Sequence, residues 1–220
     1  MTHSDDDGLV LPPKLAPKQV VICPVIRNDD ERSSVMEYCQ NLKAEIAALQ
    51  YAGRPVEVSI DDRDIRGGEK KWFHVKRGVP IRLEVGPRDI ESDSVFVGRR
   101  DQPKSSGMKR SELVSTLPEI LDSIQDGLFQ RALTLRTENT REIDSLDEFK
   151  EFFTPANSNK PEIHGGFADC YFVDCPETDE MLKPLKVTPR CIPLEQDSGE
   201  GTCIFTGQPT RTRGIFGKSY

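Results

Sequence analysis

Between Arg63 and Arg110 the chain carries 13 Lys/Arg against 7 Asp/Glu, inside a protein of 220 residues with a net charge of −7. A basic segment within an acidic chain is what a confined phosphate-binding face requires, and equally what a solvated charged surface looks like. Any of these charged side chains could do more specific work, Arg82, Arg88, Asp89 and Lys104 among them. Guanidinium and ammonium groups donate hydrogen bonds, while an ionised carboxylate only accepts them. Together they match a partner that presents donors and acceptors side by side. On residue types alone, a surface ion-pair network with Arg88 and Asp89 shaping a turn explains the same set.

A second group with possible chemistry lies late in the chain. Six cysteines in 220 residues are too few for a disulfide scaffold and fit reduced intracellular thiols. Cys23 and Cys39 sit among apolar neighbours and read as packing residues. Cys170, Cys175, Cys191 and Cys203 cluster instead. Structural zinc needs four ligands in a closed tetrahedron. The alternatives are free thiols or a site built from Cys170, Cys175 and Cys203 with Cys191 or His164. Trp72, Phe73 and His74 could stack on an unpaired base, although packing of a helix on the core is the expectation for Trp72 and Phe73.

These groups need elements to hold them. Gln19 to Ile26 is a nearly continuous Val/Ile run and reads as a buried strand. Asn28 to Arg32 has turn and N-cap chemistry, and Ser33 to Gln50 repeats apolar residues at helical spacing until Gly53-Arg54-Pro55 ends it. Val56–Ile60 and Ile81–Val85 alternate with period two, the latter with Arg82 and Glu84 on its polar face. Glu69 to Arg77 reads as a short helix, Ser94 to Arg100 as a strand, and Leu117 to Arg136 and Asp144 to Phe153 as further helices. Strands alternating with helices predict an α/β sheet with a parallel component. Thr154 to Pro161 is turn-like and marks the best boundary in the second half.

Mean hydropathy is −0.54, and no apolar run approaches the roughly 20 residues that a bilayer span needs. The N-terminus, with Asp5-Asp6-Asp7, is the opposite of a signal peptide, so the cytoplasm is the expected location.

Several strings, in order, resemble one family. Thr2-His3-Ser4-Asp5-Asp6-Asp7-Gly8-Leu9-Val10-Leu11-Pro12-Pro13 is similar to the segment that leaves the catalytic domain of prolyl-tRNA synthetases of the archaeal/eukaryote-like type. The likeness continues through Asp61-Asp62-Arg63-Asp64, Gly78-Val79-Pro80-Ile81-Arg82, Gly86-Pro87-Arg88-Asp89 and Arg190-Cys191-Ile192-Pro193, and closes with Phe216-Gly217-Lys218-Ser219-Tyr220. It implies a class II anticodon-binding fold, a five-stranded mixed sheet flanked by helices, followed by a small α+β C-terminal domain. The division it implies is residues 1–17 as the tail of a catalytic domain and connector, 18–122 as the anticodon-binding domain, 123–153 as connecting helices and 154–220 as the C-terminal domain.

The resemblance also implies function. The class II motifs that bind ATP are upstream in the family, so Met1 reads as an internal methionine and this stretch is expected not to activate proline by itself. ATP and magnesium belong to the full-length enzyme, which is expected to dimerise. The partners implied are tRNA(Pro) and the catalytic domain, with no membrane and no DNA. Proline anticodons share two guanines, each with acceptors at O6 and N7 and donors at N1 and N2. Arg82, Arg88, Asp89 and Lys104 match family positions implicated in reading them, with Arg88 standing where relatives can carry lysine. Many relatives hold zinc in a C-x4-C…C-x2-C site. Aligned here, those positions fall on Val173, Thr178, Cys203 and Thr206, which leaves one ligand of four and predicts a zinc-less domain. Tyr220 resembles a family terminus that tucks toward the catalytic domain, and so reads as an interface residue. The alternative from another class is a free-standing, non-catalytic RNA-binding or accessory module.

Overall fold

The computed structural model describes residues 3–155, 165–196 and 199–219, and the chain divides into two compact units, Met1–Ala132 and Leu133–Tyr220. Residues 156–161 of the expected boundary, His164 and Tyr220 lie outside the described residues.

The first unit opens with β1 (Val20–Pro24), buried along its whole length as its unbroken apolar run predicts. Asn28 caps α1 (Asp29–Ala48), its side-chain oxygen accepting from the Glu31 N–H at 3.0 Å. A short hairpin of β2 (Gln50–Tyr51) and β3 (Arg54–Pro55) turns through Ala52 and Gly53, both at positive φ. β4 (Val58–Ile60), α2 (Gly67–Lys76), β5 (Ile81–Val85), α3 (Pro87–Glu91), β6 (Ser94–Arg99) and β7 (Ser105–Lys109) follow, and α4 (Arg110–Glu138) runs on past the division between the units.

The sheet order is β4-β1-β5-β6-β7. β1 is parallel to both neighbours, while β5–β6 and β6–β7 are antiparallel, giving the expected five-stranded mixed sheet. Period-two alternation sorts the side chains. Ile81, Leu83, Val85, Val95 and Val97 join one core with Val35, Cys39, Leu42 and Ile46 of α1 and Leu113, Leu117, Leu121, Ile124 and Leu128 of α4. Each such side chain contributes about 1.5–3 kcal/mol when fully removed from water. Arg82, Glu84, Phe96, Gly98, Ser105 and Gly107 have the opposite parity and share the second face, since Arg82 pairs with Gly98, Glu84 with Phe96, Phe96 with Gly107 and Gly98 with Ser105.

Two elements depart from expectation. β7 has Pro103 before it and Gly107 within it, a loop-like composition, yet it adds to the open edge of β6. α4 starts seven residues earlier than Leu117, which extends its apolar stripe to the buried Leu113.

The second unit contains β8 (Thr140–Glu142), α5 (Leu146–Phe153), β9 (Phe167–Tyr171), α6 (Pro176–Leu182), β10 (Val187–Cys191), β11 (Gly201–Thr202), β12 (Pro209–Thr210) and β13 (Arg213–Lys218). Its four-stranded sheet has the order β10-β13-β9-β8. Phe149, Phe153, Phe172, Phe205 and Phe216 fill its core. Phe149 meets Phe153, Phe205 and Phe216 edge to face at 4.9, 5.1 and 5.7 Å between centroids.

Candidate nucleic-acid interface

Arg82 projects from β5 onto the second face of the sheet, where it is buried. Its Nε donates to Glu84 Oε1 at 3.1 Å. Its guanidinium lies over Gly98: a Cβ built there would stand 2.7 Å from Arg82 Nη2 and 2.9 Å from Ser105 Oγ. The cross-strand glycine thus provides the space that Arg82 occupies.

Two of the hollows on this unit take in the residues singled out in the sequence. One is lined by Arg82, Lys71, Trp72, Arg99, Arg100 and the acidic Asp5 and Asp7. The other is lined by Glu84, Gly86, Arg88, Asp89, Arg27 and Phe96. The four residues singled out in the sequence are therefore divided. Arg82 lines the first hollow, and Arg88 and Asp89 line the second. Lys104 is exposed between Pro103 and Ser105, both of which line the first.

Their states differ too. Arg88 is exposed, whereas Asp89 is half-buried and accepts from the Gly86 N–H at 2.9 Å through Oδ2, while its own N–H donates to the Gly86 carbonyl at 3.0 Å. That pair of bonds fixes the turn into α3. Arg99 is occupied by Asp101 (3.0 and 2.8 Å). Arg100 is occupied by Asp5 (2.7 Å through Nη1) and by the Val75 carbonyl (3.1 Å), so these two hold loops together.

Sequence reading placed Glu84 with Arg82 on the polar face of β5 but missed Phe96 and Gly98 as part of that face. The signal was present in the period-two spacing that places Glu84 beside Arg82, but the partners on β6 required the register. Trp72 also departs from expectation. It is 47% exposed and lines the first hollow instead of packing on the core. Phe73 is half-buried between the guanidinium carbons of Arg63 and Arg77, at 3.9 and 3.5 Å from its ring centroid.

Among the described residues, Cys23, Asp61 and His74 form a group close enough to share a metal ion. Asp61 is already engaged, however. Arg63 donates to both its oxygens at 2.7 Å, His74 Nε2 lies 2.8 Å from Oδ2, and Lys70 donates to its main-chain carbonyl at 3.0 Å. The Arg63 guanidinium stands where a cation would, and it holds the Asp61 carboxyl well below the usual carboxylate range. Burial pushes Cys23 up to about 12 and outweighs Asp61 in lowering His74. The group is a strut that ties α2 to the ends of β1 and β4.

In the second unit Cys170 and Cys203 are buried, Cys175 is half-buried and Cys191 is exposed. Among the described residues they do not gather into a three-ligand group. The positions aligned with the family's zinc ligands do converge. Cys203 Sγ accepts from the Val173 and Thr206 N–H groups at 3.3 and 3.4 Å, and Thr178 Oγ1 donates to the Val173 carbonyl at 2.7 Å. Burial alone would push the Cys203 thiol up, but the hydrogen bonds from Thr206 and the neighbouring backbone hold it below its ordinary value. With Val and two Thr at the other three positions, this site does not fit a structural zinc.

The anticodon-binding domain family matches residues 19–120, and the family of prolyl-tRNA synthetase C-terminal domains matches residues 158–220. The chain carries an anticodon-binding domain and a prolyl-tRNA synthetase C-terminal domain. Over its full length it is 57% identical to the proline–tRNA ligase of Rhodopirellula baltica and 47% identical to that of Bdellovibrio bacteriovorus, covering 43% and 44% of those proteins. The crystal structure of a prolyl-tRNA synthetase from Cryptosporidium parvum, in complex with L-proline and AMP, superposes with a TM-score of 0.79 at 30% identity, over all of this chain and 44% of that one. The resemblance and the fold expected from the sequence are confirmed. The chain spans less than half the length of the prolyl-tRNA synthetases it matches, and carries the anticodon-binding and C-terminal domains of that family. Among the described residues no helix is long and apolar enough to cross a membrane.

Proposed function

We propose that this chain supplies anticodon recognition to a proline–tRNA ligase. Arg82 and Arg88 read the two guanines of the tRNA(Pro) anticodon, and Lys104 contacts the same strand. The observation that carries this reading is the open half of the sheet, where a guanidinium, a carboxylate and exposed aromatic rings stand side by side. Unpaired bases are read by such hydrogen bonds and stacking. Two hollows suit two adjacent bases, one guanine in each.

In the whole enzyme a catalytic domain outside this chain would activate proline with ATP and magnesium and pass it to the tRNA 3′ end. The domains seen here would hold the anticodon and so position the acceptor arm, adding to kcat/KM through remote binding. Dimerisation through the catalytic domain, a cytoplasmic location and a contact between Tyr220 and the catalytic domain belong to the same proposal, as does a C-terminal domain that folds on its aromatic core without zinc. Identity with the ligases over the whole chain supports this over a free-standing module. The test is aminoacylation by the intact synthetase of tRNA(Pro) and of the same tRNA with its two anticodon guanines exchanged for other bases. The native tRNA should be preferred by at least about thirtyfold, since each well-read base is worth about 1–3 kcal/mol. Equal kcat/KM for the two would overturn the assignment.

A further inference from the structure

We propose that Glu84 and Phe96 together form a guanine-reading pair in the second hollow, with Phe96 as the stacking surface and Glu84 as the carboxylate that accepts from the base's Watson–Crick edge. The inference rests on the anticodon reading above and deepens it.

Glu84 and Phe96 stand directly opposite one another in the antiparallel ladder of β5 and β6. Directly opposite side chains on one face have Cβ atoms about 4.5–5.5 Å apart. A base lying on the Phe96 ring therefore brings its edge within reach of Glu84. The ring is 41% exposed on an inner strand of the sheet, where a large apolar side chain is normally covered. Its neighbour on the other side is Gly107, where an added Cβ would meet nothing within 4 Å. The approach to the ring is thus open on that flank.

Asp89 is a poorer reader than its sequence position suggests, because its carboxylate holds the Gly86 N–H. The Glu84 side chain is 33% exposed, and its one hydrogen bond among the described residues comes from Arg82 Nε, to Oε1. Guanine presents N1–H and N2–H together, a pair of donors that a carboxylate accepts; adenine places an acceptor at N1, which a carboxylate repels. The exposed Arg27 lines the same hollow as the base-reading Arg88 and supplies positive charge for the phosphates of the strand. The occupant is accordingly an unpaired guanine of single-stranded RNA.

The test measures binding of the full chain to fluorescent anticodon stem-loops of tRNA(Pro), with each guanine in turn replaced by inosine, which lacks only the N2 amino group. Wild-type protein should lose about tenfold in affinity at one of the two positions. In Glu84→Gln that guanine-to-inosine ratio should fall to within about twofold. Phe96→Ala should weaken every loop by about tenfold, and Phe96→Tyr should restore binding. An undiminished ratio in Glu84→Gln, wild-type affinity in Phe96→Ala, or no inosine effect at either position in the wild type overturns the pair. The last measurement needs no variant and so is independent of folding. If the wild type also fails to distinguish loops whose guanines are exchanged for other bases, the anticodon reading itself falls. If it does distinguish them while Glu84→Gln keeps its ratio, only the present inference falls.

Discussion

The guanidinium of Arg82 rests on Gly98, its cross-strand partner, so closely that a methyl group there would stand 2.7 Å from Nη2. This glycine is set by space, because its φ is not among the positive values in the chain. In Gly98→Ala the flexible end of Arg82 must move while the sheet stays. Thermal stability should change by less than about 1 kcal/mol. Affinity for the proline anticodon stem-loop should fall about tenfold, the value of one well-made charged contact to a base. Paired melting curves and titrations check both numbers. Unchanged affinity would mean that the held position of Arg82 plays no part in reading.

Arg88 is exposed in the second hollow, away from any catalytic chemistry in this chain. Arg88→Ala in the intact synthetase should leave proline-dependent ATP–pyrophosphate exchange unchanged and lower aminoacylation kcat/KM by about tenfold or more. Arg88→Lys keeps the charge without the bidentate fork and should recover part of the loss. Equal loss of exchange and aminoacylation would remove Arg88 from the anticodon site.

Asp89 should behave as a turn residue. Asp89→Ala removes the acceptor for the Gly86 N–H and should destabilise the first unit by about 1 kcal/mol in urea titrations, the usual cost of a lost cap. Asp89→Asn retains an acceptor and should recover most of that stability, with the guanine-to-inosine preference of the wild type intact. Loss of that preference in Asp89→Asn would return the reading role to Asp89.

Much of this architecture was legible in the sequence because its signals are local. The Val/Ile run of β1, the alternation of β5 and the Asn28 cap each specify their element without reference to the rest of the chain. β7 was hidden because an edge strand is fixed by its neighbour: Ser105, Ser106 and Gly107 have no strand preference of their own and are held by β6. The site divides the same way. The family resemblance singles out Arg82, Arg88 and Asp89, but the role of Glu84 depends on Phe96 lying opposite it, and the placement of Arg82 depends on Gly98. Both are register facts, which residue spacing within one strand does not contain.

The last prediction concerns acid. His74 is held below its ordinary value of 6.5, with burial the largest cause; Asp61 pulls the other way, but Arg63 engages both oxygens of that carboxylate. The folded protein therefore resists a proton that the unfolded chain accepts. The stability due to neutral His74 is complete above about pH 6.5 and is lost as the pH falls from there toward the lower folded value. Asp61 acts with the same sign further down, since Arg63 holds its carboxyl below the ordinary 3.8 and the associated stability drains away only in stronger acid. Trp72, the one tryptophan in the chain, lies in the first unit and reports on its unfolding. Its fluorescence should give a lower Tm at about pH 5.5 than at about pH 7.5, and the difference should shrink in His74→Gln, which has no proton to bind in that range. A Tm difference of the same size in both proteins would show that His74 is not the group that acid attacks.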